Sequence, residues 1–353
     1  MTVLKLGSLF DGIGVFPLAA MHCGMEPVWA SEIEARPISI TKRHFPDMLH
    51  LGDITKISGA EIPPVDVITF GSPCQDLSQI GTRNGFAGKK SSLFYQAMRI
   101  IEEMRYATNG RYPAFTVWEN VAGAFSSNDR LDFAAMLSAF TGAEVSVPSR
   151  GWAHAGMVRG GCADTAWRLL DAQYWGEPAL VQRRKRVFVV ADFAGQRAGE
   201  VLFKPRTVLP FSEIGSSGGL SATQRGGVPA AQTGRQVPVV RPFSLRRMRT
   251  MAQVGDQKGF CASFGRGGEP FPTLLASVTA PFSFWYEGEE SDGFLRVLTP
   301  LECERLMGLP ENWTKYGCKN EEISDHARYR ALGNSIALPC AEYVMAGIAE
   351  VMN

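Results

Sequence analysis

The sequence predicts an α/β fold with a mostly parallel sheet covered by helices on both faces. Short apolar, β-branched segments alternate with helix-like stretches through roughly the first 200 residues. After Lys204 the chain is instead rich in glycine, serine and threonine, without a regular period, and helical character returns near the C-terminus. Strand–helix alternation is typical of parallel sheets, in which ligands bind beyond the carboxyl ends of the strands.

The predicted elements follow in order. Strands are expected at Val3–Leu9, Pro27–Ser31, Met48–Ile54, Val65–Phe70, Ala114–Trp118 and Val187–Phe193. Helices are expected at Ile33–His44 and Ser92–Ala107, and a last helix from about Ile336 to Val351 has Pro339 in its first turn. In "LTPLECERLMG", Thr299 and Glu302 are expected to form a capping box.

These changes in composition and periodicity divide the chain into three segments. We expect residues 1–203 to form the first part of a large domain and residues 204–295 a smaller, loop-rich domain. Residues 296–353 are expected to return to the large domain and complete it.

Composition narrows the class of protein. Of the 353 residues, 45% are hydrophobic, yet no run of 18 apolar residues exists, so a membrane span is not expected. The N-terminus lacks the pattern of a signal peptide, which predicts a cytoplasmic protein. Seven cysteines without a CxxC pair predict neither a disulfide framework nor a metal site.

Charge is unevenly distributed along the chain. The net charge is +1, but residues 182–249 contain 13 Lys/Arg and 3 Asp/Glu, which gives that segment +10. A basic face for a polyanion and a set of solvated loop arginines both explain this asymmetry. Charge alone leaves the two interpretations open.

A cofactor turn is predicted in "SLFDGIGVFPLAA". Gly12 and Gly14 allow a sharp turn and the close approach of a nucleotide-like ligand, although GxGxxG, the dinucleotide fingerprint, is absent. Glu32 ends the second strand, where a carboxylate can accept from two ribose hydroxyls, and Asp53 ends the third. Each acid alone fits a surface residue, but three such features at successive strand ends favour a nucleotide site.

The stretch "FGSPCQDLS" places Cys74 behind Pro73 at the end of a buried strand. A thiol has a pKa of about 8.5, so a catalytic cysteine needs surroundings that favour the thiolate, such as nearby backbone N–H groups. The alternative is a buried structural cysteine.

Two further segments carry candidate polar groups. "VWENVAG" ends a strand in Glu119 and Asn120. A carboxyl kept protonated there could donate to a ring nitrogen and accept from an exocyclic amine. The alternative is a solvated Glu119 beside a helix-capping Asn120. In "QRRKRVFVV", alternation puts Arg184 and Arg186 on one side of the strand and the other two basic residues on the opposite side. That pattern also fits a basic edge that discourages aggregation.

Taken together, the segments resemble the cytosine-5 DNA methyltransferase family in both motif and order. The successive signatures of that family are similar to these segments, in order: "FDGIG", "GSPCQDLS", "GTRNGFAGKKSSLF", "WENV", "QRRKR", "RVLTPLECERLMGLPENW" and "RYRALGNS". The resemblance covers about residues 4–193 and 296–351. Three local departures are Ile33, where relatives can carry an aromatic residue, extra residues at 178–181, and "MGLP" in place of the more usual "GFP".

The resemblance implies a Rossmann-like, S-adenosylmethionine (AdoMet)-dependent methyltransferase fold with a mixed seven-stranded sheet and a small target-recognition domain at residues 204–295. It implies double-stranded DNA as substrate, S-adenosylhomocysteine as product, and a monomeric enzyme of bacterial or phage restriction–modification type. A cognate restriction endonuclease that acts on the same site is a further expected partner.

The resemblance also assigns catalytic roles. Cys74 would add to C6 of a cytosine flipped out of the duplex, which makes C5 nucleophilic toward the AdoMet methyl group. Glu119 would contact N3 and the exocyclic amine, Arg186 the O2 atom, and Arg184 would support the pocket. Loss of the C5 proton then releases Cys74.

Binding residues are implied in the same way. The cofactor contacts would be Phe10, Gly12, Gly14, Glu32, Ile33, Asp53, Ile54, Pro73, Leu93, Asn334 and Ser335. The DNA contacts would be Gln75, Ser78, Arg83, Lys89, Lys90, Asn120, Arg246 and Arg247, with residues 76–90 forming a loop that closes over the flipped nucleotide.

Three other functions share part of this pattern. An RNA cytosine-5 methyltransferase would use the same chemistry, but the basic segment before residue 295 favours DNA. A catalytically inactive DNA-binding relative is disfavoured by the intact Cys74, Glu119, Arg184 and Arg186. A nicotinamide oxidoreductase would leave "PCQ" unexplained.

Overall fold

A computed structural model describes residues 3–72, 93–203, 239–243, 271, 273–274, 283–287 and 294–353. The chain divides into two compact units. The first comprises Met1–Leu170, Lys185–Pro205 and Cys340–Asn353, and the second comprises Asp171–Arg184 and Arg206–Pro339. Most of the predicted loop-rich domain at 204–295 lies outside the described residues, so its boundaries stay a prediction.

The first unit is built on a mixed eight-stranded sheet. Its strands are β1 (Lys5–Leu9), β2 (Glu26–Ser31), β3 (Leu49–His50), β4 (Val67–Phe70), β5 (Phe115–Val121), β6 (Ala155–Arg159), β7 (Asp164–Asp171) and β8 (Lys185–Asp192). The order across the sheet is β3-β2-β1-β4-β5-β8-β7-β6. The strands β3, β2, β1, β4 and β5 are parallel, whereas β8 runs antiparallel to β5, and β6 to β7.

The mixed α/β fold is confirmed, with eight strands where seven were expected. The prediction missed both strands of the hairpin β6–β7. In β6, which forms one edge of the sheet, no residue is fully buried, so its sequence lacks the apolar run of the central strands. The predicted strand Met48–Ile54 is reduced to β3, because Gly52 takes a left-handed φ of 73° and Asp53 caps a 3-10 turn.

The helices agree with the predicted pattern where one was predicted. They are α1 (Val15–His22), α2 (Ala35–His44), α3 (Leu93–Ala107), α4 (Leu131–Thr141), α5 (Ala198–Phe203), α6 (Pro300–Leu306), α7 (Asp325–Asn334) and α8 (Leu338–Met352). The capping box at α6 is confirmed: Glu302 N donates to Thr299 Oγ1 at 3.3 Å, and Thr299 N donates to Glu302 Oε2 at 2.8 Å.

Aromatic side chains fill the core on one face of the first unit's sheet. Phe70 and Trp118, from β4 and β5, pack with Phe94 of α3 and with Phe133 and Phe140 of α4. All five are at most 1% exposed. This packing fixes the carboxyl ends of β4 and β5, which carry two of the predicted motifs.

The second unit contains α6, α7 and a three-stranded antiparallel sheet. Its strands are β9 (Val239–Phe243), β10 (Ser283–Glu287) and β11 (Phe294–Val297). Glu304 is fully buried and pairs with Arg328, whose Nη2 lies 3.1 Å from Glu304 Oε1. The backbone N–H groups of Asn312 and Thr314 also donate to this carboxylate, so the buried charge is well satisfied.

Within the described ranges, no helix taken alone has the length and apolar composition to cross a membrane. Only the bent pair α7 and α8 meets that test jointly, by length and composition.

Candidate functional site

The turn after β1 has the backbone conformation that the glycine pattern predicted. Phe10, Gly12 and Gly14 have φ angles of 54°, 60° and 78°, all in the left-handed region. A Cβ atom on Gly14 would come within 2.8 Å of Thr41 Cγ2 and 2.9 Å of Phe45 Cε2. A Cβ atom on Gly12 would meet nothing within 4 Å. Gly14 therefore lets the turn pack against α2, whereas Gly12 borders open space.

Glu32 and this turn are brought together by the parallel pairing of β1 and β2. Glu32 Oε2 accepts a hydrogen bond from Gly12 N at 2.9 Å. Its Oε1 accepts from Ile33 N at 2.7 Å and from Glu34 N at 3.0 Å. The carboxylate is thus held in one orientation, and Oε2, which accepts a single backbone bond, keeps a lone pair for a ligand hydroxyl.

Asp11 belongs to the same turn and is not among the residues predicted to have a role. Both of its carboxyl oxygens are buried, and neither makes a hydrogen bond within the part of the chain that the structure describes. Burial raises the pKa of Asp11 from 3.8 to about 7; the nearby Ser8 hydroxyl opposes this shift and the charge of Glu32 adds to it. An acid between Phe10 and Gly12 at a strand end was the available sequence signal.

The end of β3 carries the other predicted cofactor residues of this edge. Ser31 Oγ donates to Gly52 O at 2.7 Å and ties the end of β2 to the chain before Asp53. Asp53 Oδ1 accepts from Thr55 N at 3.0 Å and Thr55 Oγ1 at 2.8 Å, and the backbone bond holds the pKa of Asp53 below its usual range. The carboxylate is exposed, so it remains open to a ligand.

Three apolar residues predicted at the cofactor differ in exposure. Ile33 is 72% exposed next to Glu32, which leaves an apolar side chain at the edge of the turn. Ile54 is 4% exposed and belongs to the core, so its side chain is not open to a ligand here. Leu93, the first residue of α3, is partly buried against the same core.

A second cluster lies at the carboxyl end of β5. Arg186 Nε is 3.0 Å from Glu119 Oε1, an ion pair without the alignment of a hydrogen bond. The register of β5 and β8 produces this pair. Val121 lies opposite Arg186, and Glu119, two residues before Val121, points to the same face of the sheet and is the diagonal neighbour of Arg186. The predicted acid and arginine are therefore neighbours in the structure.

The chain that leads into "PCQ" is held against this cluster. A Cβ atom on Gly71 would lie 3.1 Å from Glu119 Oε2, so any other residue there would push the carboxylate aside by a few tenths of an ångström. Asn120 Nδ2 donates to Ser72 O, and Trp118 Nε1 donates to Ser72 Oγ, both at 3.0 Å. Asn120, predicted to contact DNA, thus uses its amide to hold the chain two residues before Cys74.

Arg184 has a different environment, inside the second unit. It is 1% exposed, and its guanidinium donates to Leu274 O and Gly333 O, each at 2.9 Å, and to Ser335 O. Its neighbours Arg183 and Lys185 are exposed. Arg184 therefore fixes the "GNS" turn at the end of α7, where Asn334 is exposed and Ser335 partly buried.

The remaining predicted residues lie outside the described residues. They are Pro73, Cys74, Gln75, Ser78, Arg83, Lys89, Lys90, Arg246 and Arg247. Their assigned roles stay predictions.

Comparison with known proteins places these segments in one family. The model of the C-5 cytosine-specific DNA methylase family matches residues 4–205 and 243–350. The type II methyltransferase M1.ScrFI of Lactococcus lactis subsp. cremoris is 26% identical over 357 residues, which cover 99% of this chain and 78% of that protein.

Two other similar proteins extend the comparison. The DNA N-6-adenine-methyltransferase of Escherichia phage P1 is 25% identical over 463 aligned residues, and the match covers 98% of this chain and 61% of that protein. The crystal structure of a DNA modification methyltransferase encoded within an E. coli prophage shares the fold, with a TM-score of 0.60, 17% identity and 99% coverage of both chains. The family match spans both the first unit and the described C-terminal segments, and it confirms the resemblance of the motifs: the chain belongs to the C-5 cytosine-specific DNA methylase family.

Proposed function

We propose that this protein is a DNA cytosine-5 methyltransferase that transfers a methyl group from AdoMet to cytosines in a short recognition sequence. The observation that carries this proposal is the cluster at the end of β5. Glu119 and Arg186 are paired there, and the chain that enters the Pro-Cys-Gln segment packs on Glu119 through Gly71. The family match supports the same chemistry.

Each residue of the cluster suits a step of that chemistry. C5 of cytosine is a weak nucleophile, and addition of the Cys74 thiolate to C6 would raise electron density at C5. N3 of the base gains negative character as the thiolate adds, and a protonated Glu119 would donate its proton to N3 and so neutralise that charge. Arg186 would donate to O2 of the base, while Asn120 keeps the chain next to Cys74 in place.

The turn after β1 fits AdoMet, which would supply the methyl group. Gly12 borders open space, Glu32 offers an oriented carboxylate oxygen for a ribose hydroxyl, and Asp53 is partly exposed at the next strand end. Asp11 adds a buried carboxyl without a partner in the described structure. Hydroxyl and cationic groups of the cofactor would complement these acids.

We infer that residues 204–295 form the target-recognition domain, since they include most of the basic segment. The enzyme would act as a monomer on double-stranded DNA in the bacterial cytoplasm, and a restriction endonuclease of the same specificity is the expected partner. Similarity to bacterial type II methyltransferases supports this assignment.

Adenine N6 methylation is the second candidate, because the phage P1 relative is named for it. The exocyclic amine of adenine attacks a methyl donor without a covalent enzyme–base adduct, so it has no need of a thiol. The cysteine in "GSPCQDLS" therefore favours cytosine.

Nucleoside analysis separates these functions. The protein is expressed in a bacterial host without DNA methylation, and the DNA and RNA are digested separately for mass spectrometry. We expect 5-methylcytosine in DNA, and bisulfite sequencing should place it in one short motif. N6-methyladenine in DNA, or 5-methylcytosine only in RNA, would overturn the proposal.

Two cysteine variants test the nucleophile. Cys74→Ser should lose methyl transfer and the covalent complex with DNA that contains 5-fluorocytosine. Cys162→Ser, at an exposed cysteine, should retain both. Full activity of Cys74→Ser would show that the thiol is not the nucleophile.

A further inference from the structure

Three consecutive residues in the chain that follows β5 have left-handed backbone angles although none of them is glycine. Asn128, Asp129 and Arg130 have φ angles of 47°, 50° and 74°. Residues other than glycine rarely adopt this conformation, and the surrounding structure has to hold them in it. Here the buried carboxylate of Asp132 holds the turn, because it accepts hydrogen bonds from Ser127 Oγ and Asn128 Nδ2. The turn therefore fixes the backbone of Arg130, the residue before α4.

A second turn, in the segment before β6, packs against Arg130. Trp152 Nε1 donates to Arg130 O at 3.0 Å. A Cβ atom on Gly151, whose φ is 79°, would lie only 3.0 Å from Arg130 Cζ, so the guanidinium group lies directly over this glycine. Arg150 immediately precedes Gly151 in the chain. The fold thus brings together two arginines that are 20 positions apart in the sequence.

The positive charges of these arginines are not compensated in the part of the chain that the structure describes. Both arginines are exposed, and neither forms an ion pair with a described residue. Asp132 is already occupied by the hydrogen bonds of its own turn, and Asp129, although exposed, is paired with neither arginine. Like charges held near each other destabilise the folded chain unless an anion compensates them. The pair therefore favours an anionic partner.

The position of the two arginines indicates which anion they meet. Their turn leaves the carboxyl end of β5, and Phe125 stacks on His154 just before β6, with 6.4 Å between the ring centroids. Glu119 and Arg186 lie at the same end of the sheet. A duplex whose cytosine reaches that pair has to lie against this end of the sheet, and its phosphates are then the nearest anions. Guanidinium groups suit phosphates, because their planar fork donates two parallel hydrogen bonds.

We propose that Arg130 and Arg150 bind phosphate groups of the substrate DNA at the edge of the cluster formed by Glu119 and Arg186. This inference rests on the proposed function. It assigns DNA contacts to two residues that lie outside the family's motifs and outside the predicted target-recognition domain. Because phosphates are the same in every sequence, these contacts orient the duplex and add affinity without adding sequence specificity.

DNA binding by the full chain tests the proposal. Fluorescence anisotropy measures the Kd of a labelled duplex that carries the methylated motif and of one that lacks it. Both are titrated with S-adenosylhomocysteine present and at several salt concentrations. The variants are Arg130→Gln, Arg150→Gln and the double variant. Arg111→Gln is the matched control, since Arg111 is an exposed arginine just before β5, at the opposite end of the sheet.

We expect each single variant to raise the Kd about fivefold at about 0.15 M salt, the effect of one lost phosphate contact. The slope of log Kd against log salt concentration should decrease by about 0.9 for each arginine removed, and the double variant should raise the Kd about thirtyfold. The same factors should apply to both duplexes. The affinity for S-adenosylhomocysteine and the kcat for methyl transfer should equal those of wild type and of Arg111→Gln.

Lysine variants separate a lost charge from a damaged turn. Arg130→Lys and Arg150→Lys keep the positive charge, so they should keep the salt slope of wild type even where the affinity falls. If the lysine and glutamine variants lose the same affinity and also bind S-adenosylhomocysteine less well, the arginines only support the fold and the inference is wrong.

Equal Kd and equal salt slope for wild type and the double variant would overturn the inference, and would leave both arginines as solvated surface residues. A loss confined to the duplex that carries the motif would also overturn it, because a phosphate contact does not distinguish the two duplexes. If wild type binds neither duplex, the proposed DNA substrate itself is wrong, a result distinct from either of these.

Discussion

Arg186 and Glu119 form a nearly buried ion pair, with side chains 14% and 11% exposed and 3.0 Å between Nε and Oε1. The pair exists because antiparallel pairing of β5 and β8 brings together residues 67 positions apart in the chain. A cytosine that enters this cluster would meet an acid already oriented by its arginine, so little reorganisation is needed at the reacting base.

Glu119→Gln should therefore lower kcat/KM for methyl transfer to DNA by about a hundredfold or more, the usual range for a group that stabilises charge or moves a proton. Transfer of the labelled methyl group from AdoMet to DNA measures this loss. Binding of S-adenosylhomocysteine should not change. Glu102→Gln, at an exposed position of α3, is the matched control, and equal activity of the two variants would contradict a catalytic Glu119.

The two glycines of the turn after β1 should respond differently to alanine. Gly14→Ala adds backbone strain at φ 78° and a clash with Thr41 and Phe45, so it should cost roughly 2–4 kcal/mol of unfolding free energy. Gly12→Ala adds strain alone and should cost about 1 kcal/mol.

Urea denaturation measures the unfolding free energy of both glycine variants. Gly12 borders open space where the cofactor is proposed to bind. Gly12→Ala should therefore weaken the binding of S-adenosylhomocysteine more than its small loss of stability suggests. Equal destabilisation by the two variants would show that packing against α2 is not what requires Gly14.

Arg184→Met should destabilise the protein by roughly 3 kcal/mol, since it removes a buried guanidinium that donates to backbone carbonyls on both sides of it. The measurement is urea denaturation. Arg183→Met changes an exposed neighbour and should have little effect. Unchanged stability of Arg184→Met, together with weaker DNA binding, would instead make Arg184 a substrate contact.

Asp11 should make the stability of the ligand-free protein depend on pH. Its pKa is about 7 in the folded protein and near 3.8 when unfolded, so between these values the unfolded chain has lost a proton that the folded one keeps. Raising the pH therefore favours unfolding, by up to about 1.4 kcal/mol per pH unit, until the folded carboxyl also ionises.

The difference in unfolding free energy between Asp11→Asn and wild type isolates this effect from other titrating groups. The unfolding free energy of Asp11→Asn minus that of wild type should become more positive from about pH 4 to 7 and stay constant above that range. A difference that does not vary with pH would mean that Asp11 is not a buried acid of raised pKa.

Local patterns predicted the central strands well. The apolar runs that became β1, β4, β5 and β8 are buried on both faces of the sheet, so nearly every residue of each run carries the signal, and β2 is buried in its second half. The same rule missed the hairpin β6–β7. An edge strand with exposed positions, such as β6, is not distinguishable from a loop by its composition.

Residue types at short spacing were enough to predict the family, the order of its motifs, the central sheet and the capping box of α6. The partners of the charged groups follow only from the folded chain: Glu119 pairs with Arg186, Glu32 with Gly12 and Arg184 with carbonyls of the α7 turn, and the buried oxygens of Asp11 accept no hydrogen bond in the described structure. These outcomes depend on strand register and burial, and both arise from contacts between segments far apart in the chain. A carboxylate that is tied down and one that is left without a donor look the same in sequence, and burial is what separates their chemistry.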